Sequence, residues 1–332
     1  MSVKDFIEKG GTIVIDPTEF TQTPDEFLLE YGNIVDTICI MAKSETGSTF
    51  FSSSNAPKDQ RYGEVFSSFA QIATDIGIRV YGLVQGNLDG FFSRDPNFQM
   101  YKSGGNPIIN YVCPNQETYW AYLAEICAEI VNRIPIEGII LKDVVYPREN
   151  TCFCENCKRN FSSIAKIDRD FSFEQIRRNE ARVDLWNQSR VDAIRGLYST
   201  VINRIHQERK IEVLTELCID PEIQFLQGAR AQLGQDIASL SQISSHVLLH
   251  FYPWSNYPTT QEELDTLITE IAPITDRIGE LKTSFYMWQP DEMSFEIFNS
   301  LKEKIGSKFL FFTENQPKSY LDRRSLHLDL GV

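Results

Sequence analysis

Three cysteines within six residues, Cys152, Cys154 and Cys157 in Thr-Cys-Phe-Cys-Glu-Asn-Cys-Lys, place three soft donors where one metal ion could be wrapped. A fourth sulfur closes a tetrahedral structural zinc site, and Cys113, in Tyr-Val-Cys-Pro-Asn before a helical stretch, is the natural donor. Four sulfurs leave no position for a reacting water, so the expected cofactor is a structural Zn that holds a loop. A redox Cys-x-x-Cys normally opens a helix in a small βαβ unit, whereas this run follows a Pro-Arg-Glu-Asn turn. Disulfides also compete, but seven cysteines is an odd number and Met-Ser-Val-Lys-Asp-Phe is not an apolar leader. Zinc is the preferred reading of the cluster, and residence in the cytoplasm is expected from the same two observations. Cys39, Cys127 and Cys218 lie in apolar runs and read as buried packing residues.

The run begins nine residues after Asp143, a carboxylate that ends the β-rich stretch Gly138-Ile-Ile-Leu-Lys-Asp143. Around it, short apolar runs alternate with segments of helical period, the pattern of a parallel sheet with crossover helices. Strands are expected over residues 12–16, 35–41, 78–84, 138–143, 211–216, 247–252, 281–286 and 308–313. Helices are expected over about 64–76, 116–132, 180–208 and 294–305. Eight strands in one alternation predict an α/β fold, a (β/α)8 TIM barrel formed by residues 1–332 as a single domain. Long loops follow strands three and four, the latter a zinc-binding insertion at about 144–172. No Gly-x-Gly-x-x-Gly follows the first strand, which removes the main support for a dinucleotide-binding sheet.

A barrel does its chemistry where the strands end at their carboxyl side. That rule selects Asp16, Lys43, Gln85, Asp143, Glu216, Tyr252, Trp254, Trp288 and Glu314. Alternation along a strand predicts that Lys142 and Asp143 point to opposite faces. Aromatic rings after strands six and seven, Tyr252, Trp254, Tyr257, Tyr286 and Trp288, could stack on the C–H face of a sugar, though core packing is an equal claim on each.

Composition narrows the partners. With 46 acidic and 32 basic side chains the 332-residue chain carries a net charge of -14, which excludes a nucleic-acid surface built on clustered Lys and Arg. A neutral, polyhydroxylated ligand suits that balance. The 42% hydrophobic content supports a large core, and no run approaches the roughly eighteen apolar residues of a membrane span. No nucleic acid and no membrane are therefore expected as partners, and a homo-oligomer is left open.

Three segments resemble the clan of barrel glycoside hydrolases. Ile136-Glu-Gly-Ile-Ile-Leu-Lys-Asp-Val-Val-Tyr-Pro147 is similar to an Asp-Gly-Ile-His-Leu-Asp-x-x-Arg-Tyr-Pro segment of glycosidases whose fourth strand ends in a carboxylate. Cys152 to Phe161 resembles the Cys-x-Cys-x-x-Cys zinc segment of zinc-bearing β-galactosidases, with Cys113 placed like their lone upstream cysteine. Gly234 to Tyr252 looks like a Gly-x-Asp stretch followed by Pro-Met-x-Tyr in the first group. The likeness covers the middle of the chain. It implies a glycoside hydrolase acting on an oligo- or polysaccharide through two carboxyl groups, with Asp143 as one and Glu216 as the preferred second. Asp16 and Glu314 compete for that second role, and with Tyr252, Trp254 and Trp288 they are the expected substrate contacts. The departures are specific: Lys142 stands where the glycosidase motif has its second Asp, Val145 replaces its Arg, and strand seven carries no Glu. They leave open a degenerate barrel that binds saccharide without cleaving it, or another hydrolase or lyase on the same scaffold.

Overall fold

The structure, a computed structural model, describes residues 3–19, 22–219, 225–251, 262, 265–266, 268–270, 282–288, 299, 303 and 307–313. Its strands are β1 (Gly11–Ile15), β2 (Thr37–Lys43), β3 (Arg79–Gln85), β4 (Gln99–Tyr101), β5 (Pro107–Val112), β6 (Gly138–Lys142), β7 (Glu212–Ile219), β8 (His246–Phe251), β9 (Lys282–Trp288) and β10 (Ser307–Thr313). Eight of them close a parallel barrel in the order β1-β10-β9-β8-β7-β6-β3-β2, while β4 and β5 form a separate antiparallel ribbon. Each barrel strand falls within three residues of its predicted place. The helix expected at 294–305 lies largely outside the described residues.

The strands read as continuous apolar runs because a parallel barrel buries both faces. All seven residues of β2, Thr-Ile-Cys-Ile-Met-Ala-Lys, are buried. The covering helices are one-sided. In α3 (Val65–Asp75) the buried residues Phe66, Phe69, Ala70 and Ala73 recur at the spacing of one helical face. Further helices are α1 (Val3–Glu8), α2 (Pro24–Tyr31), α4 (Glu117–Arg133), α5 (Glu155–Ala165), α6 (Phe173–Arg177) and α7 (Glu180–Glu208). Helix α2 starts where the sequence says it must: Thr23 and Glu26 cap each other's backbone N–H groups, and Pro24 occupies the first turn. Helix α7 starts at Asn179, whose side chain accepts from Arg182 N at 3.1 Å. It packs along α4, and Gly196 allows the approach, since a Cβ there would lie 2.9 Å from the Trp120 ring. No helix among the described residues is long and apolar enough to cross a membrane.

Two excursions leave the barrel at its carboxyl face. The first, between β3 and α4, carries the β4–β5 ribbon; the second, between β6 and α7, carries α5 and α6. The second has a small core of its own, with Phe153, Phe161, Phe171, Phe173, Ile176 and Trp186 packed together. Trp186 belongs to α7 and donates its indole N–H to Glu149 O at 2.8 Å, which fastens the excursion to a long rigid helix.

Candidate functional site

The barrel mouth is organised around the end of β6. The strand stops at Lys142, and Asp143 turns out of it with φ +57, a left-handed conformation that Asp tolerates better than most residues. That turn breaks the period-two alternation. Lys142 Nζ and Asp143 Oδ2 lie 2.9 Å apart and both side chains are fully buried, contrary to the expectation that neighbouring residues would face opposite sides. A non-glycine residue held in this region stores strain, a feature concentrated at functional sites.

The backbone on both sides of Asp143 is pinned. Gly86 N donates to Lys142 O at 2.6 Å, and a Cβ on Gly86 would meet Val144 Cγ2 at 2.4 Å, so only glycine permits that approach. Asn87 clamps the next turn, donating to Val145 O at 2.9 Å and accepting from Val145 N at 2.7 Å. Gln235 donates to both Val144 O and Glu216 O at 3.1 Å and accepts from Cys218 N at 2.7 Å. Tyr198, from α7, bridges Leu141 O and Glu216 O at 3.3 Å.

Glu216, on β7, meets this structure directly: its Oε2 accepts the Asp143 backbone N–H, and its Oε1 lies 2.5 Å from His250 Nδ1. Asp143 and Glu216 are thus brought together as expected, but Glu216 has both carboxylate oxygens occupied. Burial lowers the pKa of His250 and nearby Lys142 lowers it further, while Glu216 opposes both. Deeper in the same rim, Lys43 Nζ pairs with Asp89 Oδ2 at 2.9 Å, with neither side chain exposed. Lys142 with Asp143 and Lys43 with Asp89 are thus buried as opposite pairs, as desolvation requires.

Two carboxyl groups on the rim differ from these. Asp16, just past β1, is half-buried and accepts from Thr18 N and Thr18 Oγ1, both at 2.8 Å. Burial raises its pKa and the Thr18 hydrogen bonds oppose the rise. Glu45, two residues past the end of β2, is also half-buried. Burial raises its pKa, the charges of Asp16 and Asp143 raise it further, and Lys142 pulls it back. Those influences place Glu45 within electrostatic reach of Asp16, Asp143 and Lys142. Glu45 escaped the sequence reading because that stopped at Lys43; the Lys-Ser-Glu-Thr-Gly run after a strand end was the available signal. Trp288 is the last residue of β9, and nothing of its side chain is described. Tyr252, Trp254 and Glu314 lie outside the described residues, as does Tyr257.

The four cysteines chosen from the sequence converge. The sulfurs of Cys113, Cys152, Cys154 and Cys157 lie within 4.8 Å of one another, all buried. Cys113 Sγ is 3.3 Å from Cys157 Sγ and 3.6 Å from Cys154 Sγ. A tetrahedral ion with metal–sulfur bonds of about 2.3 Å would set sulfurs roughly 3.8 Å apart, so the set fits one metal. N–H donors face the sulfurs: Asn115 N to Cys113 at 3.4 Å, Asn115 Nδ2 to Cys157 at 3.1 Å, and Cys154 N to Cys152 at 3.3 Å. Such donors orient and stabilise thiolates. Cys154 also precedes the first turn of α5, where the helix dipole favours negative charge. Hydrogen bonds from Cys113 and the other two thiols lower the pKa of Cys154, whereas burial raises that of Cys113. Four thiols this close share protons until a cation replaces them. The cluster sews the two excursions together, with Phe153 N to Tyr101 O at 2.9 Å beside it. Next to it lies a cavity of about 740 Å³ edged by Tyr101, Asn97, Asn115, Gln116, Asn156 and Asn160.

No family model matches the chain, and no curated protein matches it. Solved structures do. The glycoside hydrolase domain of PgaB (BpsB) from Bordetella bronchiseptica aligns over 96% of this chain and 97% of its own, with TM-score 0.67 and 14% identity. The endo-1,4-beta-mannanase from Rhizomucor miehei aligns over 91% of this chain and 85% of its own, with TM-score 0.53 and 11% identity. At such identities the likeness is one of fold: a TIM-barrel architecture of the kind these hydrolases use.

Proposed function

We propose that this protein hydrolyses glycosidic bonds of an oligo- or polysaccharide, with Asp143 as its central ionised carboxylate and Glu45 as the proton donor. The observation that carries the reading is the contrast between them. Asp143 is paired at 2.9 Å with Lys142, and a cation so close favours the charged carboxylate. Glu45, on which the Asp143 charge acts, has its pKa raised by burial first and then by the Asp16 and Asp143 charges. Glycoside hydrolysis asks for this division, one carboxyl protonated to assist the leaving oxygen and one ionised to attack carbon or activate water. Glu216, first in line from the sequence for the second role, acts here by holding the Asp143 backbone. Asp16 supports Glu45 through the effect of its negative charge. Zinc in the four-thiol cluster would brace the two excursions without entering the reaction.

The test is hydrolysis of a panel of chromogenic glycosides and oligosaccharides by the wild type, Asp143→Asn and Glu45→Gln. Loss of a general acid costs about 10²–10⁴-fold in rate. Because the pKa of Glu45 is raised, kcat/KM should hold below that pKa and fall as pH rises through it, and Glu45→Gln should abolish this alkaline limb. Turnover left intact by both substitutions rules the assignment out. The full burial of Asp143 favours a second reading, a barrel that binds saccharide without cleaving it; affinity with no turnover across the panel would establish that instead.

A further inference from the structure

Cys218 was expected to be packing, yet it does not sit among apolar groups alone. Residues 216 and 218 are two apart on β7 and therefore project to the same face, and Cys218 is in direct register with His250 on β8. The ligand atoms of Glu216, Cys218 and His250 lie within 4.8 Å of one another, and all three residues are completely buried. We propose that these three side chains form a second metal site at the carboxyl end of the barrel, separate from the four-thiol cluster, that takes a borderline-soft divalent cation such as zinc.

The donor set is one carboxylate oxygen, one sulfur and one imidazole nitrogen, each an established zinc ligand. Three protein donors leave a fourth position for water or a substrate oxygen, which the four-cysteine cluster cannot offer. The first ligand already has the support such sites need: Glu216 Oε2 accepts the Asp143 N–H, which fixes the carboxylate and leaves Oε1 directed at His250. The 2.5 Å between Glu216 Oε1 and His250 Nδ1 is a hydrogen bond. An ion entering there replaces the proton between them, and the two atoms move apart by roughly 0.7 Å to stand about 3.2 Å from each other around metal bonds of about 2.0 Å. Proton accounting is simple: the Cys218 thiol releases its proton to solvent, and the imidazole, neutral before and after, shifts its one proton from Nδ1 to Nε2 so that Nδ1 binds. Charge also closes. Lys142 is neutralised by Asp143 at 2.9 Å, so the divalent ion meets two negative ligands, Glu216 and the Cys218 thiolate, and the buried group as a whole is neutral. The site goes beyond the carboxylate chemistry proposed above and does not depend on it.

Metal content per chain decides the matter. Protein loaded with Zn²⁺ and freed of excess should hold two ions, falling to one in Cys218→Ala and in His250→Gln. The pair Cys154→Ser with Cys157→Ser should lose the other ion and keep this one. One ion in the wild type that survives Cys218→Ala, or two ions in both, overturns the proposal. Should the four-thiol cluster fail to load, a single ion lost in Cys218→Ala and retained in the Cys154/Cys157 double variant still supports the site. If a variant loses its native near-ultraviolet circular dichroism, Co²⁺ substitution of the wild type decides. A second cobalt with a one-thiolate charge-transfer band is expected, and a spectrum of four-thiolate cobalt alone refutes the site.

Discussion

The cysteine loop and the barrel mouth both bury groups that carry charge, and they solve the problem in opposite ways. At the mouth the charged side chains pair with one another, Lys142 with Asp143 and Lys43 with Asp89, while Glu216 is held by hydrogen bonds to Asp143 N and His250. In the loop four thiols face one another, and a positive side chain acting on them, buried Arg190, feels Cys152 and Cys157 without pairing with them, so a cation would find four donors there. The Lys142–Asp143 and Lys43–Asp89 pairs are therefore complete once the fold closes. The loop offers its sulfurs to an ion that the solution would supply.

Four experiments bear on that contrast. The largest effect belongs to Asp143→Asn, which should cut kcat/KM on a cleaved glycoside by about 10⁴-fold while leaving metal content unchanged; a parallel loss of metal would show the regions are not independent. Next, Lys142→Met strips the cation from a fully buried pair, and breaking such a pair costs about 3–5 kcal/mol. Denaturant melts should show that loss, and a neutral outcome would mean that Asp143 takes up a proton at no cost.

Chelation, or Cys154→Ser with Cys157→Ser, should destabilise the second excursion first, because metal binding and folding of a small site are coupled. Proteolysis should then cut between residues 144 and 179 before the barrel yields, and simultaneous loss of both would merge the two regions into one unit. The smallest effect is expected from Gly86→Ala. Its Cβ would press on Val144 and Lys142 O, and overpacking of this kind costs about 1–3 kcal/mol. A fall in activity with unchanged metal content is the expected result, read from kcat/KM and metal analysis together.

Much of this was legible in the chain. The eight strands were visible because a parallel barrel demands apolar runs of uniform character, and the Cys152–Cys157 spacing announced shared ligation because a short loop can bring such sulfurs together. Cys113, far upstream, was chosen because a tetrahedral site asks for a fourth sulfur, and it stands 3.3 Å from Cys157. The mouth was read less well. Lys142 was assigned to the far side of the strand because alternation holds only while the backbone is extended, and Asp143 leaves that region at φ +57. Glu45 lies two residues beyond a strand end, and the only local signal there, the Lys-Ser-Glu-Thr-Gly run, says nothing of burial. Its raised pKa comes from burial and from Asp16 and Asp143, residues 29 and 98 positions away in the chain.

Taken alone, the amino-acid order determined which segments become strands and helices and which cysteines could share an ion, since those depend on hydrophobic period and short spacing. Only the closed barrel decided which charges meet. Partners such as Asp143 with Glu216, or Cys218 with His250, come from different strands, and their contact is set by register and burial, which no local pattern encodes.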